Sequence, residues 1–160
     1  MLRVSLVRRL ATTRLTQTSG SVTLRRAQLC SSFSNSVSLE DYHQYANCTL
    51  EAIQEVYDER SDNDPTLAMD VEYADGVLNV EVGTLGTFVL NKQAPNRQLW
   101  GSSPISGPLR YDLCTSSKAW VNSRDRHDML ALLADDFEAL TSQQLSFASV
   151  TEELEASVGG

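Results

Sequence analysis

Residues 86–100 read GTFVLNKQAPNRQLW, and this stretch predicts two strands joined by a tight turn. Residues 87–90, Thr-Phe-Val-Leu, have the β-branched and aromatic composition of a strand, and residues 97–100 can form a second, shorter one. Between them Pro95 presets one backbone angle and Asn96 tolerates a tight turn. The stretch therefore favours an antiparallel sheet as the centre of the fold.

Alternation along these strands predicts what the sheet presents to solvent. Successive side chains point to opposite faces, so if Phe88, Leu90 and Leu99 face the core, their neighbours face outward. The side chains predicted to face outward are Asn91, Gln93, Gln98 and Trp100. Amides beside a large indole are typical of a surface that docks onto another protein, rather than of a pocket of catalytic groups.

The same stretch resembles a known family. The pattern NKQxPNxQxW over residues 91–100, followed by SSPxSGPxRYD over residues 102–112, is similar to the signature of the frataxins. The resemblance extends from about Tyr42 to about Leu145 and is weak beyond that point. One departure is Gly101, which replaces a larger residue beside Trp100 and predicts a looser loop there.

The resemblance implies a small mitochondrial protein of iron–sulfur cluster assembly. It implies contact with the cluster scaffold protein through Asn91, Gln93 and Trp100, with Arg110 on the same face. The full set of partner-binding residues predicted here is Asn91, Lys92, Gln93, Gln98, Trp100 and Arg110.

Charge is distributed unevenly along the 160 residues. Residues 1–39 hold six arginines and no acid, a net charge of +6, whereas residues 40–160 hold 21 acids and seven lysines or arginines, a net charge of −14. An arginine- and serine-rich, acid-free N-terminus is typical of a mitochondrial transit peptide, although a basic tail that binds nucleic acid or membrane is an alternative. We therefore predict a leader over 1–38, a frataxin-like domain over 39–150, a flexible tail over 151–160, and a location in the mitochondrial matrix.

Several classes of site and partner are disfavoured by the same composition. A body of charge −14 repels phosphate backbones, and no apolar run reaches the ~18 residues of a membrane span. The three cysteines lack paired zinc-site spacing and are expected to be free thiols; the two histidines lack metal-ligand spacing. We therefore expect neither nucleic acid nor membrane as a partner, and no tightly bound cofactor.

Periodicity predicts the order of the elements. A first helix should begin at a Ser38 cap and end near Pro65, and a second should run from an Asp128 cap to about Gln143. Between them five or six strands are expected, with an Asp75-Gly76 hairpin turn. The predicted fold class is α+β: a two-layer sandwich with two helices on one face of an antiparallel sheet, as in frataxins.

The first helix also carries a stripe of carboxylates that we call the acidic ridge. Like charges at this spacing destabilise an isolated helix, and carboxylate oxygens suit hard cations such as iron. A solvated helix face and a surface for weak, exchangeable metal binding are both open interpretations, and the resemblance favours the second. The ridge residues predicted to bind iron are Glu51, Glu55, Asp58, Glu59, Asp62, Asp64 and Asp70.

These features lead to one functional hypothesis and two alternatives. The hypothesis is a frataxin that binds Fe²⁺ or Fe³⁺ weakly and docks on the cysteine desulfurase–scaffold complex, promoting cluster assembly as iron donor, activator of sulfur transfer, or both. It would be a monomer, or form iron-driven oligomers. The alternatives are a ferroxidase, for which the bridging Glu and His spacing of a di-iron centre is missing, and a metal-independent interaction module.

Overall fold

The computed structural model describes residues 37–156 of the chain. Over this range, helices pack on one face of a sheet and form two layers. The predicted leader, apart from its last two residues, lies outside that range. The elements are α1 (Leu39–Asn63), β1 (Met69–Ala74), β2 (Val77–Val82), β3 (Gly86–Gln93), β4 (Gln98–Ser103), β5 (Gly107–Cys114), β6 (Ala119–Asn122), α2 (Met129–Thr141) and α3 (Ala148–Ala156). None of the described helices is both long enough and apolar enough to cross a membrane.

Both predicted helix starts are confirmed. The Ser38 hydroxyl accepts a hydrogen bond from the Asp41 amide at 3.0 Å, and the Asp128 carboxylate accepts one from the Ala131 amide at the same distance. Such caps satisfy amides that have no partner in the first helical turn. They fix where the two helices enter the structure.

The six strands pair only with their neighbours in sequence. The sheet order is β1-β2-β3-β4-β5-β6, and every pairing is antiparallel. The predicted hairpin between β1 and β2 is confirmed, because Asp75 and Gly76 both have positive φ, at 51° and 78°. Two adjacent residues with positive φ give the turn whose twist matches that of the flanking strands.

The core lies between the sheet and the helices. Tyr57 of α1 packs against Phe88 of β3, Phe137 of α2 and the buried Phe147, with ring centroids 5.6 to 6.2 Å apart. Trp120 is buried, as predicted, and its indole nitrogen donates to the Thr49 hydroxyl at 2.8 Å. The opposite face of the sheet carries no helix of the described residues, which leaves its central strands open.

The SSPxSG part of the signature has a structural role. Asp136 of α2 is buried, and its carboxylate accepts hydrogen bonds from the hydroxyls of Ser103 and Ser106. The Ser103 hydroxyl also accepts from the amides of Ile105 and Ser106. A buried carboxylate is stable only when hydrogen-bonded, so these serines both satisfy Asp136 and fasten the β4–β5 turn to α2.

Three expectations about the fold are corrected by the structure. The chain does not become a flexible tail at residue 151, because Ala148–Ala156 form α3, whose Val150 and Leu154 are buried against the core; residues 157–160 lie outside the described range. Cys48 is outside any disulfide, as expected, and its thiol donates to Glu153 Oε1 at 3.8 Å. The expectation is wrong for Cys114, which is disulfide-bonded.

The third correction concerns Gly101, which lies inside β4 rather than in a loosened loop. A Cβ at this position would stand 3.0 Å from Leu90 Cδ2 and 3.2 Å from Tyr111 Cε2. The Tyr111 ring and Leu90 therefore fill the space that a larger side chain would occupy, and the strand stays closely packed.

Candidate docking face and acidic ridge

A groove of about 590 Å³ crosses the open face of the sheet, and we call it the docking groove. It is lined in part by Asn91 of β3, Trp100 of β4 and Arg110 of β5. The strand register places Trp100 directly opposite both of the others. Cross-strand neighbours on one face have Cβ atoms roughly 5 Å apart, so the three side chains form one row across the sheet.

Trp100 is held in place on this face without being buried in the core. Its indole nitrogen donates to Gln98 Oε1 at 3.1 Å, and the Arg110 guanidinium lies over its ring at 4.5 Å from the centroid. Gln98 Nε2 in turn donates to Asp112 Oδ1 at 2.8 Å. These contacts fix the orientation of an amphipathic side chain that is partly exposed to solvent.

The structure brings most of the predicted partner-binding residues together, but it separates one of them. Asn91, Gln93, Gln98, Trp100 and Arg110 share the open face, since Gln93 pairs with Gln98 and Asn91 with Trp100. Lys92 pairs with the buried Leu99, and its ammonium donates to Asn47 of α1. Placing Lys92 on the docking face was therefore wrong, because alternation turns it toward the helices.

The end of β6 and the segment after it contribute residues that sequence reasoning missed. Asn122, Ser123 and Arg124 also line the docking groove. The Ser123 amide and hydroxyl donate to the Arg110 carbonyl at 2.9 and 3.2 Å, which brings this segment against β5. Alternation in the sequence predicts which residues share a face on neighbouring strands. It does not predict that a loop folds back beside a strand.

The acidic ridge lies on the solvent side of α1. Its five helical members, Glu51, Glu55, Asp58, Glu59 and Asp62, are all exposed. α1 runs alongside the edge strand β1, because the Ser61 hydroxyl lies 3.5 Å from the Met69 carbonyl. Burial, and to a smaller extent the Glu51 charge, raises the pKa of Tyr73. The ridge therefore follows one edge of the sandwich.

Asp70 belongs to the same edge but faces the open side of the sheet. It alternates with the partly buried Met69 and Val71, and it pairs directly with Glu81 of β2. Like charges opposite each other on neighbouring strands are destabilising. Carboxylates therefore stand on both sides of the β1 edge, with the helical stripe on one side and Asp70 with Glu81 on the other.

Asp64 has a structural role. Its carboxylate accepts hydrogen bonds from the Thr66 amide and hydroxyl and from Gln143 Nε2, and lies 3.9 Å from the Arg60 guanidinium. The Thr66 and Gln143 hydrogen bonds hold the pKa of Asp64 below its usual range. Asp64 thus caps the turn after α1 and ties it to the chain beyond α2.

The lowered pKa of Asp64 predicts a pH-dependent contribution to stability. A carboxylate with a pKa below its unfolded value stabilises the fold above the unfolded pKa of ~3.9, and this contribution is lost as the pH falls through the folded pKa. Asp64→Asn should therefore lower the free energy of unfolding at pH 7 and have a smaller effect at pH 3, measured by urea denaturation. The exposed Asp62→Asn is the matched control, and an equal pH dependence in both variants would contradict the assignment.

The ridge carboxylates stand apart from one another rather than converging on a single point. Within residues 37–156, no group of three or more His, Cys, Asp or Glu side chains is placed to hold one metal ion. Exposed carboxylates spaced along a helix can bind hard cations one or two ligands at a time, with water completing the coordination shell.

Comparison with known proteins agrees with this geometry. The family model described as the frataxin-like domain matches residues 35–143. The chain belongs to the frataxin family. Mitochondrial frataxin of Arabidopsis thaliana is 36% identical over 116 residues, covering 72% of this chain and 62% of the plant protein. That of Caenorhabditis elegans is 39% identical over 132 residues, covering 80% of this chain and 96% of the relative.

A solved frataxin structure has the same fold. The crystal structure of trimeric frataxin from the yeast Saccharomyces cerevisiae, complexed with ferrous, matches with a TM-score of 0.55 and 35% identity, over 62% of this chain and 87% of that one. The predicted membership of the frataxin family and the predicted sandwich are thereby confirmed. The expected mitochondrial location agrees with the names of the plant and nematode relatives.

Proposed function

We propose that this chain acts in the mitochondrial matrix, docks through its open sheet face onto the cysteine desulfurase–scaffold complex, and promotes iron–sulfur cluster assembly as iron donor, activator, or both. The observation that carries the proposal is the row of Asn91, Trp100 and Arg110 across that face. Interface anchors are enriched in Trp and Arg. Amides that lose their bound water on docking favour a partner that forms hydrogen bonds with them, because an amide left without a hydrogen bond costs free energy.

Iron enters the proposal as cargo. The exposed ridge carboxylates are hard oxygen ligands and supply the negative charge that attracts Fe²⁺. The yeast relative complexed with ferrous supports iron as the ion, and its trimeric state fits oligomers that form with iron. Weak binding suits a donor, because a carrier that held the ion tightly would not release it.

The experiment that tests docking is capture of partners from mitochondria. The tagged mature chain is incubated with a mitochondrial extract with and without ferrous iron, and bound proteins are identified by mass spectrometry. Recovery of desulfurase and scaffold supports the proposal, and the effect of iron on recovery separates iron-dependent from iron-independent docking. Failure to recover either protein under both conditions contradicts it.

The ridge proposal predicts a loss of bound iron without loss of fold. Changing Glu55, Asp58, Glu59 and Asp62 together to their amides should lower the amount of Fe²⁺ bound in anaerobic calorimetry. The fold should be equally or more stable, because like-charge pairs on a helix cost roughly 0.2–0.5 kcal/mol each.

A matched pair of variants separates the ridge from general charge. Glu55→Gln with Asp58→Asn is compared with Asp135→Asn and Glu138→Gln, which are exposed at the same spacing on α2. Only the double variant of the ridge should bind less iron than the unchanged chain. If the two double variants bind equal amounts of iron, the ridge is an ordinary solvated surface. Dioxygen uptake in an aerobic titration would favour the ferroxidase alternative.

A further inference from the structure

The docking groove differs in charge from the rest of the domain. Residues 40–160 contain 21 acids against seven lysines or arginines. The groove nevertheless is lined by two arginines, Arg110 and Arg124, and by no acid of the described residues. Two of the seven cations of an acidic body therefore line one groove, whose other lining groups are amides, serines and apolar side chains.

Both guanidiniums are available to a partner. Arg110 and Arg124 are exposed, and neither forms an ion pair with a carboxylate of the described residues. Other cations are engaged within the fold: Arg60 lies beside Asp64, and the Lys118 ammonium donates to the Glu155 carbonyl at 2.8 Å. No described carboxylate is therefore within ion-pair distance of the two groove arginines, and the nearby Asp112 carboxylate accepts a hydrogen bond from Gln98.

Arg124 is also held on a fixed backbone. The side chain of Asn122, which is only 2% exposed, accepts hydrogen bonds from the amides of Arg124 and Asp125 at 2.8 and 3.4 Å. Ser123 is bonded through its amide and hydroxyl to the carbonyl of Arg110. The turn that carries Arg124 is therefore fastened to the strand position that carries Arg110, so less ordering is needed when a ligand binds.

We propose that Arg110 and Arg124 together hold a carboxylate-bearing segment of the protein partner in the docking groove, and that Arg124 determines specificity for it. The inference rests on the proposed docking function and names the chemistry of the partner. Arginine pairs with carboxylate in a planar, two-pronged geometry. The apolar surface of Val89, Trp100 and Pro108 beside it fits a segment in which acidic and apolar residues alternate. A body of net charge −14 repels nucleic acid, which disfavours phosphate backbones as the anionic partner.

The test measures affinity for the purified desulfurase–scaffold complex at several salt concentrations. Arg124→Ala should weaken binding about three- to tenfold at low salt and make the affinity less dependent on salt, and Arg124→Glu should weaken it further. The matched control is Lys92→Gln, which removes one positive charge on the helix side of the sheet. Its affinity should stay close to that of the unchanged chain.

The outcomes distinguish this inference from the function on which it rests. If the unchanged chain does not bind the complex, the proposed function fails. If it binds, and Trp100→Ala weakens binding while Arg124→Glu does not, the docking face stands and the two-arginine inference is overturned. Equal weakening by Lys92→Gln and Arg124→Ala would also overturn it, because the effect would then be one of net charge. Circular dichroism of each variant confirms that the fold is retained.

Discussion

Trp100→Ala should weaken binding to the desulfurase–scaffold complex about thirtyfold or more while leaving the domain folded. The indole lies on the open face, opposite Asn91 and Arg110, and its hydrogen bond goes to Gln98 of the same strand. A buried interface anchor contributes about 2 kcal/mol or more to binding, which corresponds to about thirtyfold in affinity. Removing it costs the fold little, because no core cavity is left behind.

The measurement pairs affinity with thermal stability. The loss of unfolding free energy should be far below the roughly 3–5 kcal/mol typical of emptying a buried Trp site. Binding of Fe²⁺ should not change, since the ridge follows the β1 edge and the groove crosses β3 to β5. If the variant has a much lower melting temperature than the unchanged chain, or binds the complex equally tightly, the assignment of Trp100 to the docking face is wrong.

Trp120→Ala should destabilise the domain by about 3–5 kcal/mol, a large share of the roughly 5–15 kcal/mol by which ordinary domains are stable. Trp120 is 2% exposed, meets the ring of Tyr42 edge-on at 6.2 Å, and donates to Thr49. The alanine variant therefore leaves a cavity between α1 and β6 and removes a donor from the Thr49 hydroxyl, which itself donates to the Tyr45 carbonyl.

Trp120→Phe removes the hydrogen bond and only part of the ring. Phenylalanine keeps an aromatic side chain at the site and loses the indole N–H, so its cost should be smaller than that of alanine. Chemical denaturation of both variants measures the difference. A Trp120→Ala domain as stable as Trp100→Ala would mean that the two tryptophans have been assigned to the wrong environments.

Most of the fold was readable from the sequence because its elements carry strong periodic signals. Local sequence signals predict several elements without information from distant residues. They are the alternation in β1 and β2, the Asp75-Gly76 turn, and the caps Ser38 and Asp128. α3 was missed for a physical reason. It spans nine residues and buries only Val150 and Leu154, so its signal is one apolar pair rather than a stripe, and its stability comes from packing.

The candidate site was predictable where it depends on strands and unpredictable where it depends on loops. Alternation placed Asn91, Gln98 and Trp100 on one face, and the same rule applied to Lys92 would have assigned it to the other. The role of Asp64 depends on Gln143, which is 79 residues away in sequence. Arg124 joins the groove only because its segment bonds to β5, a contact that no spacing in the sequence reveals.

The packing of α1 against α3 also governs the order in which the chain can complete its fold. Each strand pairs with the next one along the chain, so successive hairpins can assemble as residues emerge from the ribosome or from a translocation pore. α1, however, contacts α3, which is the last described element. The part of the first helix that packs on α3 therefore stays uncovered until the C-terminal segment arrives, whereas the part that packs on β1 and β2 is covered earlier. We expect the partly delivered chain to remain loosely folded and to depend on chaperones, and folding to finish only when residues 148–156 are released.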